Sequence, residues 1–183
     1  MSQRERAIPP LVGVIMGSAS DLDKVRVVFE TLDMFQTPYE TAVISAHRTP
    51  ELVQEYAESA ARKGIKVIIA AAGLAAALPG ALSALVDIPV IGLPLSGGPM
   101  GGIDALFSVT GMPPGNPVGA VGIDSARNAT LLALRILGLS DPRIRQELSR
   151  VRMQAAQEVG DKARVLRDRG LPAWEPEGVD TGE

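Results

Sequence analysis

The 183-residue chain holds a single histidine, and it stands beside an arginine in the run Ser45-Ala46-His47-Arg48-Thr49-Pro50. An imidazole titrates near neutrality and can give and take a proton within one cycle, while a guanidinium grips phosphate or carboxylate at two points. A second run, Met16-Gly17-Ser18-Ala19-Ser20-Asp21, places small residues and two hydroxyls ahead of a helical pattern. Small residues let the main chain approach a ligand and a helix start favours an anion, so phosphate binding is the natural inference. The run is neither a Walker loop nor a GxGxxG fingerprint. A third run, Ala72-Gly73-Leu74-Ala75-Ala76-Ala77-Leu78-Pro79-Gly80, offers backbone donors and an apolar wall but no side chain that transfers a proton. The fourth, LSGGPMGGI from Leu95 to Ile103, has four glycines in nine residues, a composition for a mobile lid or for close packing between subunits.

These runs need a scaffold that gathers them. Leu11–Met16, Tyr39–Ser45, Lys66–Ala71, Pro89–Leu93 and Pro117–Val121 read as strands. Their starts are spaced by 28, 27, 23 and 28 residues, the length of a strand plus a crossover helix. The expectation is an α/β fold, a three-layer αβα sandwich on a five-stranded parallel sheet of flavodoxin-like or Rossmann-like type. In such sheets ligands bind outside the carboxyl ends of the strands, where all four runs lie.

Helices are expected from a cap at Ser20 or Asp21 to about Asp33, from a Thr49-Pro50 start to Gly64, and from Ser125 through Ala126–Leu137. Asp141–Arg169 carries the longest helical pattern, with Ile144, Leu148, Val151, Ala155, Val159, Ala163 and Leu166 in one apolar stripe. The stripe follows a complete sheet, which predicts that it packs against a neighbouring subunit. The chain thus divides into an α/β catalytic domain (1–139), a helix packing in the oligomer (140–169) and a loose tail (170–183).

Composition removes several classes of function. With no cysteine, disulfides are impossible, and one imidazole cannot fill a zinc site of nitrogen and sulfur ligands, although a carboxylate magnesium site stays open. A net charge of −3 and 3% aromatic residues argue against nucleic-acid binding. The opening MSQRERAIPP has three charges in its first six residues and no apolar core, so a signal peptide is not expected. Val67–Val86 is twenty residues without a charge, but eight are alanine and Gly73 and Pro79-Gly80 interrupt it, so no membrane span is expected.

Taken together, MGSASD at 16–21, SAHRTP at 45–50, ALPG at 77–80 and SGGPMGGIDALFSVTGMPPGNPVG at 96–119 resemble one family, the carboxyaminoimidazole ribonucleotide mutases and aminoimidazole ribonucleotide carboxylases of purine biosynthesis. The resemblance runs from about Val12 to Leu137. It implies an ATP-independent enzyme with no cofactor and no metal, a ribonucleotide substrate, a cytoplasmic location, and a homo-octamer with active sites between subunits. His47 takes the catalytic role. Ser18, Asp21 and Arg48 hold phosphate and ribose, with backbone help at Gly17, Ala46, Ala72 and Gly73; Ser20, Ser45 and Leu78 complete the expected substrate-binding set.

Four features depart from the mutase pattern. Ala77 stands where mutases carry histidine, Leu74 where they carry glycine and Leu22 where tryptophan is usual, while SGGPMGG replaces a common SAALSG type. The carboxylase branch also lacks the loop histidine, but its usual Ser-Asn motif is absent. A carboxylase using free CO2, a paralogue acting on another heterocycle, and a flavodoxin-like nucleotide-binding module without chemistry are the alternatives. The last lacks a Trp, Tyr or Phe in the four runs on which a flavin would stack.

Overall fold

The computed structural model describes residues 8–172. The expectation for the first residues, 1–7, and for the tail beyond Pro172 lies outside that range, as do the side chains of Ala163 and Arg167. Five strands, β1 (Val12–Met16), β2 (Tyr39–Val43), β3 (Val67–Gly73), β4 (Val90–Leu95) and β5 (Gly119–Ala120), form one parallel sheet in the order β2-β1-β3-β4-β5. That order is the flavodoxin-like one of the two expected, with its reversal between β1 and β3.

Strands β1 and β4 are buried at every residue and β3 at all but Gly73, which is why they read as continuous apolar runs: both faces of the sheet are covered. Helix α1 (Leu22–Met34) packs with α5 (Ala126–Leu137), and α2 (Pro50–Lys63) packs with α3 (Ala77–Ser83), which meets α4 (Ile103–Thr110). A Cβ at Gly92 would lie 2.3 Å from Val109 Cγ1, so glycine in mid-strand is what lets α4 seat on β4. Fully buried Ile15, Ile68, Ile69, Leu82, Ile91 and Leu93 form the core, each contributing about 1.5–3 kcal/mol by burial.

Several boundaries differ from expectation. The fifth strand shrinks from Pro117–Val121 to two exposed residues, because Pro117 has no ladder donor and Gly119 and Ala120 present no bulk to pack. The crossover helices implied by the strand spacing but given no bounds are α3, which begins inside the third run at Ala77, and α4, which begins at Ile103, the last residue of the fourth. Pro79 fits because it is the third helical residue, where an N–H has no partner within the helix. The uncharged stretch Val67–Val86 is therefore a strand and a short helix. Among the described residues no helix is long and apolar enough to cross a membrane.

Helix α6 spans Pro142–Asp168, and the chain divides into two compact units after Arg145, inside this helix. Ile144 is fully buried and Arg143 Nη1 donates to Phe35 O at 2.7 Å, so the first turn of α6 belongs with the α/β unit. Along the second unit the stripe positions Ala155, Val159 and Leu166 are exposed.

Candidate active site

A cleft of about 680 Å³ opens at the carboxyl ends of β1 to β4. Its lining contains all eleven sequence candidates: Gly17, Ser18, Ser20, Asp21, Ser45, Ala46, His47, Arg48, Ala72, Gly73 and Leu78. A larger groove of about 1120 Å³ lies at the amino ends of β4 and β5, but its lining of proline and aliphatic residues includes one ionisable side chain, Asp87. Chemistry therefore favours the smaller space.

The first wall comes from the turn after β1. Gly17 N–H donates to Ala71 O at 3.1 Å, which ties the turn to β3 across the switch point. Asp21 holds the expected cap position of α1, though without a side-chain capping bond, and Ser18 caps the turn before it: its Oγ accepts from Ser20 N–H at 3.3 Å, and Asp21 Oδ2 accepts from Ser18 N–H at 3.1 Å. This reciprocal box closes a 3-10 turn, Ala19–Asp21, before α1. Ser18 Oγ and Ser20 Oγ lie 2.8 Å apart, a pair of hydroxyls facing one space. Burial pushes the Asp21 carboxyl above its ordinary value of 3.8, while the Ser18 N–H and the Lys24 charge pull it back.

The second wall follows β2. Ile44 N–H still reaches Met16 O at 2.9 Å, and then the chain turns so that Thr49 N–H returns to Ser45 O at 2.8 Å. Thr49 occupies the cap position of α2 without capping it; its Oγ1 accepts from Ser45 N–H at 3.0 Å and braces the loop instead. Arg48 Nη2 donates to Gly17 O at 3.3 Å, bringing the guanidinium beside the serine turn. His47 is exposed and lines the cleft, beside rather than beneath these groups.

The third wall is apolar. Leu74 and Ala76 both take left-handed backbone, at φ 54° and 34°, and Ala76 N–H closes the turn onto Gly73 O at 3.0 Å. A non-glycine residue in that region costs about 1–2 kcal/mol. Such strain tends to collect at functional sites. Ala76 and Leu78 are buried, and Ala77 adds a methyl group where no proton can be exchanged.

The fourth wall is Ser96, Gly97 and Gly98. A Cβ at Gly102, which has φ 95°, would lie 2.9 Å from Ser96 Cα, so glycine alone lets the two ends of this loop touch. The lining also takes in Leu74, Ala76 and Ala77 of the third run and Ser96, Gly97 and Gly98 of the fourth, and Lys24, which lies outside all four runs. For Lys24 a signal existed: it lies three residues after Asp21, one helical turn along the same face. Arg48 brings to the cleft a guanidinium that can hold an anion, and His47 an imidazole that can carry a proton. Among the described residues no group of three His, Cys, Asp or Glu side chains is placed to hold a metal.

Comparison with known proteins identifies the family. The chain is 49% identical over 166 residues to the N5-carboxyaminoimidazole ribonucleotide mutase of Pyrococcus horikoshii, covering 91% of this chain and 92% of that one. It is 44% identical over 165 residues to the mutase of the same name from Thermotoga maritima, covering 90% and 96%. The phosphoribosylaminoimidazole carboxylase of Candida albicans is 45% identical over 161 residues, which are 88% of this chain and 28% of that protein. The crystal structure of Treponema denticola PurE superposes with a TM-score of 0.78 at 31% identity, covering 86% of this chain and 98% of that one. Residues 11–158 match the family model for AIR carboxylase, and the chain belongs to that family.

Proposed function

We infer that this chain is an N5-carboxyaminoimidazole ribonucleotide mutase of purine biosynthesis, moving a carboxyl group from the exocyclic nitrogen of the substrate to ring carbon 4. The relatives named for this activity match it almost end to end. The observation that carries the mechanism is His47 and Arg48 at the end of β2, set against the Ser18–Asp21 turn across a cleft whose third wall is apolar. His47 protonates the carbamate nitrogen as its bond to the carboxyl carbon breaks, freeing CO2 and the amine. Ring carbon 4 then attacks CO2, and His47 recovers the proton from that carbon, so one imidazole closes the cycle. Arg48, Ser18 and Ser20 hold the phosphate, Asp21 accepts from the ribose hydroxyls, and the main chain at Gly17, Ala46, Ala72 and Gly73 positions the ring, with Ser45 bracing Arg48. Ala72, Ala77 and Leu78 keep water out while CO2 is free.

A second reading, direct carboxylation of aminoimidazole ribonucleotide by free CO2, draws on the name of the Candida albicans relative and on Ala77, which removes an imidazole from the third loop. One assay separates them. Purified protein receives, without ATP, either the carbamate or aminoimidazole ribonucleotide with high bicarbonate, and ring carboxylation is followed. Preferential turnover of the carbamate is the expected result; turnover from free CO2 alone makes the chain a carboxylase, and silence in both overturns both readings.

The proposed assembly is a cytoplasmic homo-octamer with sites between subunits. Exposed Met100, Ile103 and Phe107, the last 68% exposed, support it on the α/β unit, and the exposed stripe positions support it on α6.

A further inference from the structure

The carboxyl-transfer reading assigns proton transfer and phosphate binding but leaves Lys24 unexplained. Its Nζ donates to Ser96 O and, at 2.9 Å, to Ser96 Oγ, although the two residues are 72 positions apart. Ser96 is held from the other side too, its N–H donating to Asp124 Oδ1 at 2.9 Å. Asp124 adopts φ 53° to do so, with its own N–H on Pro94 O at 2.9 Å. A cation from α1 and an anion ahead of α5 therefore grip one serine at the start of the glycine-rich loop.

Beyond Ser96 the loop is closed by its own turns, Gly101 N–H on Gly98 O at 3.4 Å and Ile103 N–H on Met100 O at 3.2 Å, with Gly102 packed back onto Ser96. Apart from the adjoining residues of the chain, no atom lies within 4 Å of where a Cβ would stand at Gly97 or Gly101. At Gly98 the one neighbour is Leu74 Cδ2, 2.7 Å from such a position. Ser96, Gly97 and Gly98 nevertheless form a whole wall of the cleft, and Lys24 lines it as well. The wall's position thus depends on the grip at Ser96.

We propose that Lys24 is a positioning residue for carboxyl transfer, latching the loop 96–102 through Ser96 so that the cleft stays closed around free CO2. This rests on the mutase reading above. Between cleavage of the carbamate and attack by ring carbon 4, CO2 is bonded to nothing, and a loosened wall lets it leave as aminoimidazole ribonucleotide accumulates. Lys24 acts on retention of the intermediate, not on proton transfer or phosphate affinity.

The test uses carbamate substrate labelled with carbon-13 at the carboxyl carbon, in unlabelled bicarbonate, corrected for loss without enzyme. Label kept in the product is compared with label released for the full chain and for Lys24→Met and Lys24→Arg. Lys24→Met is expected to raise the released fraction per turnover roughly three- to tenfold, the scale of an exposed charge-assisted bond, with KM changed less than that. Lys24→Arg, which keeps the donors, should restore retention. Unchanged retention in Lys24→Met, or a rise in KM alone, overturns the latch and makes Lys24 a direct contact or a bystander. No turnover by the wild-type chain removes the mutase reading itself, a result distinct from turnover with unchanged retention.

Discussion

Arg48 reaches back across the switch point of the sheet, and its Nη2 donates to the main-chain oxygen of Gly17 at 3.3 Å. Its Nε lies 3.5 Å from Ser45 Oγ, so the guanidinium is oriented from two loops before any ligand arrives. A pre-oriented fork loses less entropy on binding an anion than a free side chain does. Arg48→Ala should weaken ribonucleotide binding by about 1.5–3 kcal/mol, read as a rise in KM or in a calorimetric Kd. An unchanged affinity removes Arg48 from the phosphate site.

His47→Asn keeps a polar side chain of similar reach but removes the imidazole that would carry the proton. Turnover should fall roughly a hundred- to ten-thousandfold while ribonucleotide binding stays near wild type. Single-turnover kinetics beside equilibrium binding distinguish this from loss of the fold, and near-normal turnover eliminates the proton shuttle.

Leu74 stands at φ 54° with its side chain 55% exposed, so the backbone cost is offset by little burial. Leu74→Gly should raise stability by about 0.5–1 kcal/mol in denaturant unfolding, since glycine takes this conformation freely. A destabilised variant would show that the contact with Gly98 outweighs the strain.

Asp21 gives a pH signature with a definite sign. Its folded pKa is raised above 3.8 chiefly by burial, so the folded chain takes up a proton more readily than the unfolded one. This group's contribution to stability is most favourable below the ordinary carboxylate value and is lost as pH rises through the raised one. Asp21→Asn should therefore gain stability relative to wild type at neutral pH, with the gap closing towards pH 3.8, while losing ribose affinity. Parallel unfolding series at several pH values check the first part, and a gap that widens on acidification contradicts it.

Val159, 68% exposed in the α6 stripe, has no cover in one chain. Val159→Glu should reduce the assembled mass in sedimentation, because burying a charge there costs more than the valine gains. Full assembly by this variant excludes that face from the subunit contacts.

The runs at β1, β3 and β4 were readable from sequence because β-branched, fully apolar segments at crossover spacing have few other stable fates, and the half-exposed β2 was readable from its spacing and its β-formers. The candidate residues converge in one cleft for the same reason: parallel strands bring their carboxyl ends to one edge whatever the intervening helices contain. Helix α3 escaped notice because Pro79 and Gly80 resemble breakers, yet they fall in the first turn, where a missing donor does no harm. Asp21 is the cap residue of α1 as its sequence suggests, but the 3-10 turn that Ser18 caps ahead of it is not legible, because serine spacing does not reveal a separate turn before the helix.

Residue types and strand spacing alone point to the proposed chemistry, an anion held beside one proton carrier, and determine the edge on which those residues gather. Strand order and helix rotation decide the rest. They place Lys24 against Ser96 and bring Leu74 against Gly98. Contacts between segments far apart in the chain arise from packing of the whole sheet and its helices, and no local pattern of residues encodes them.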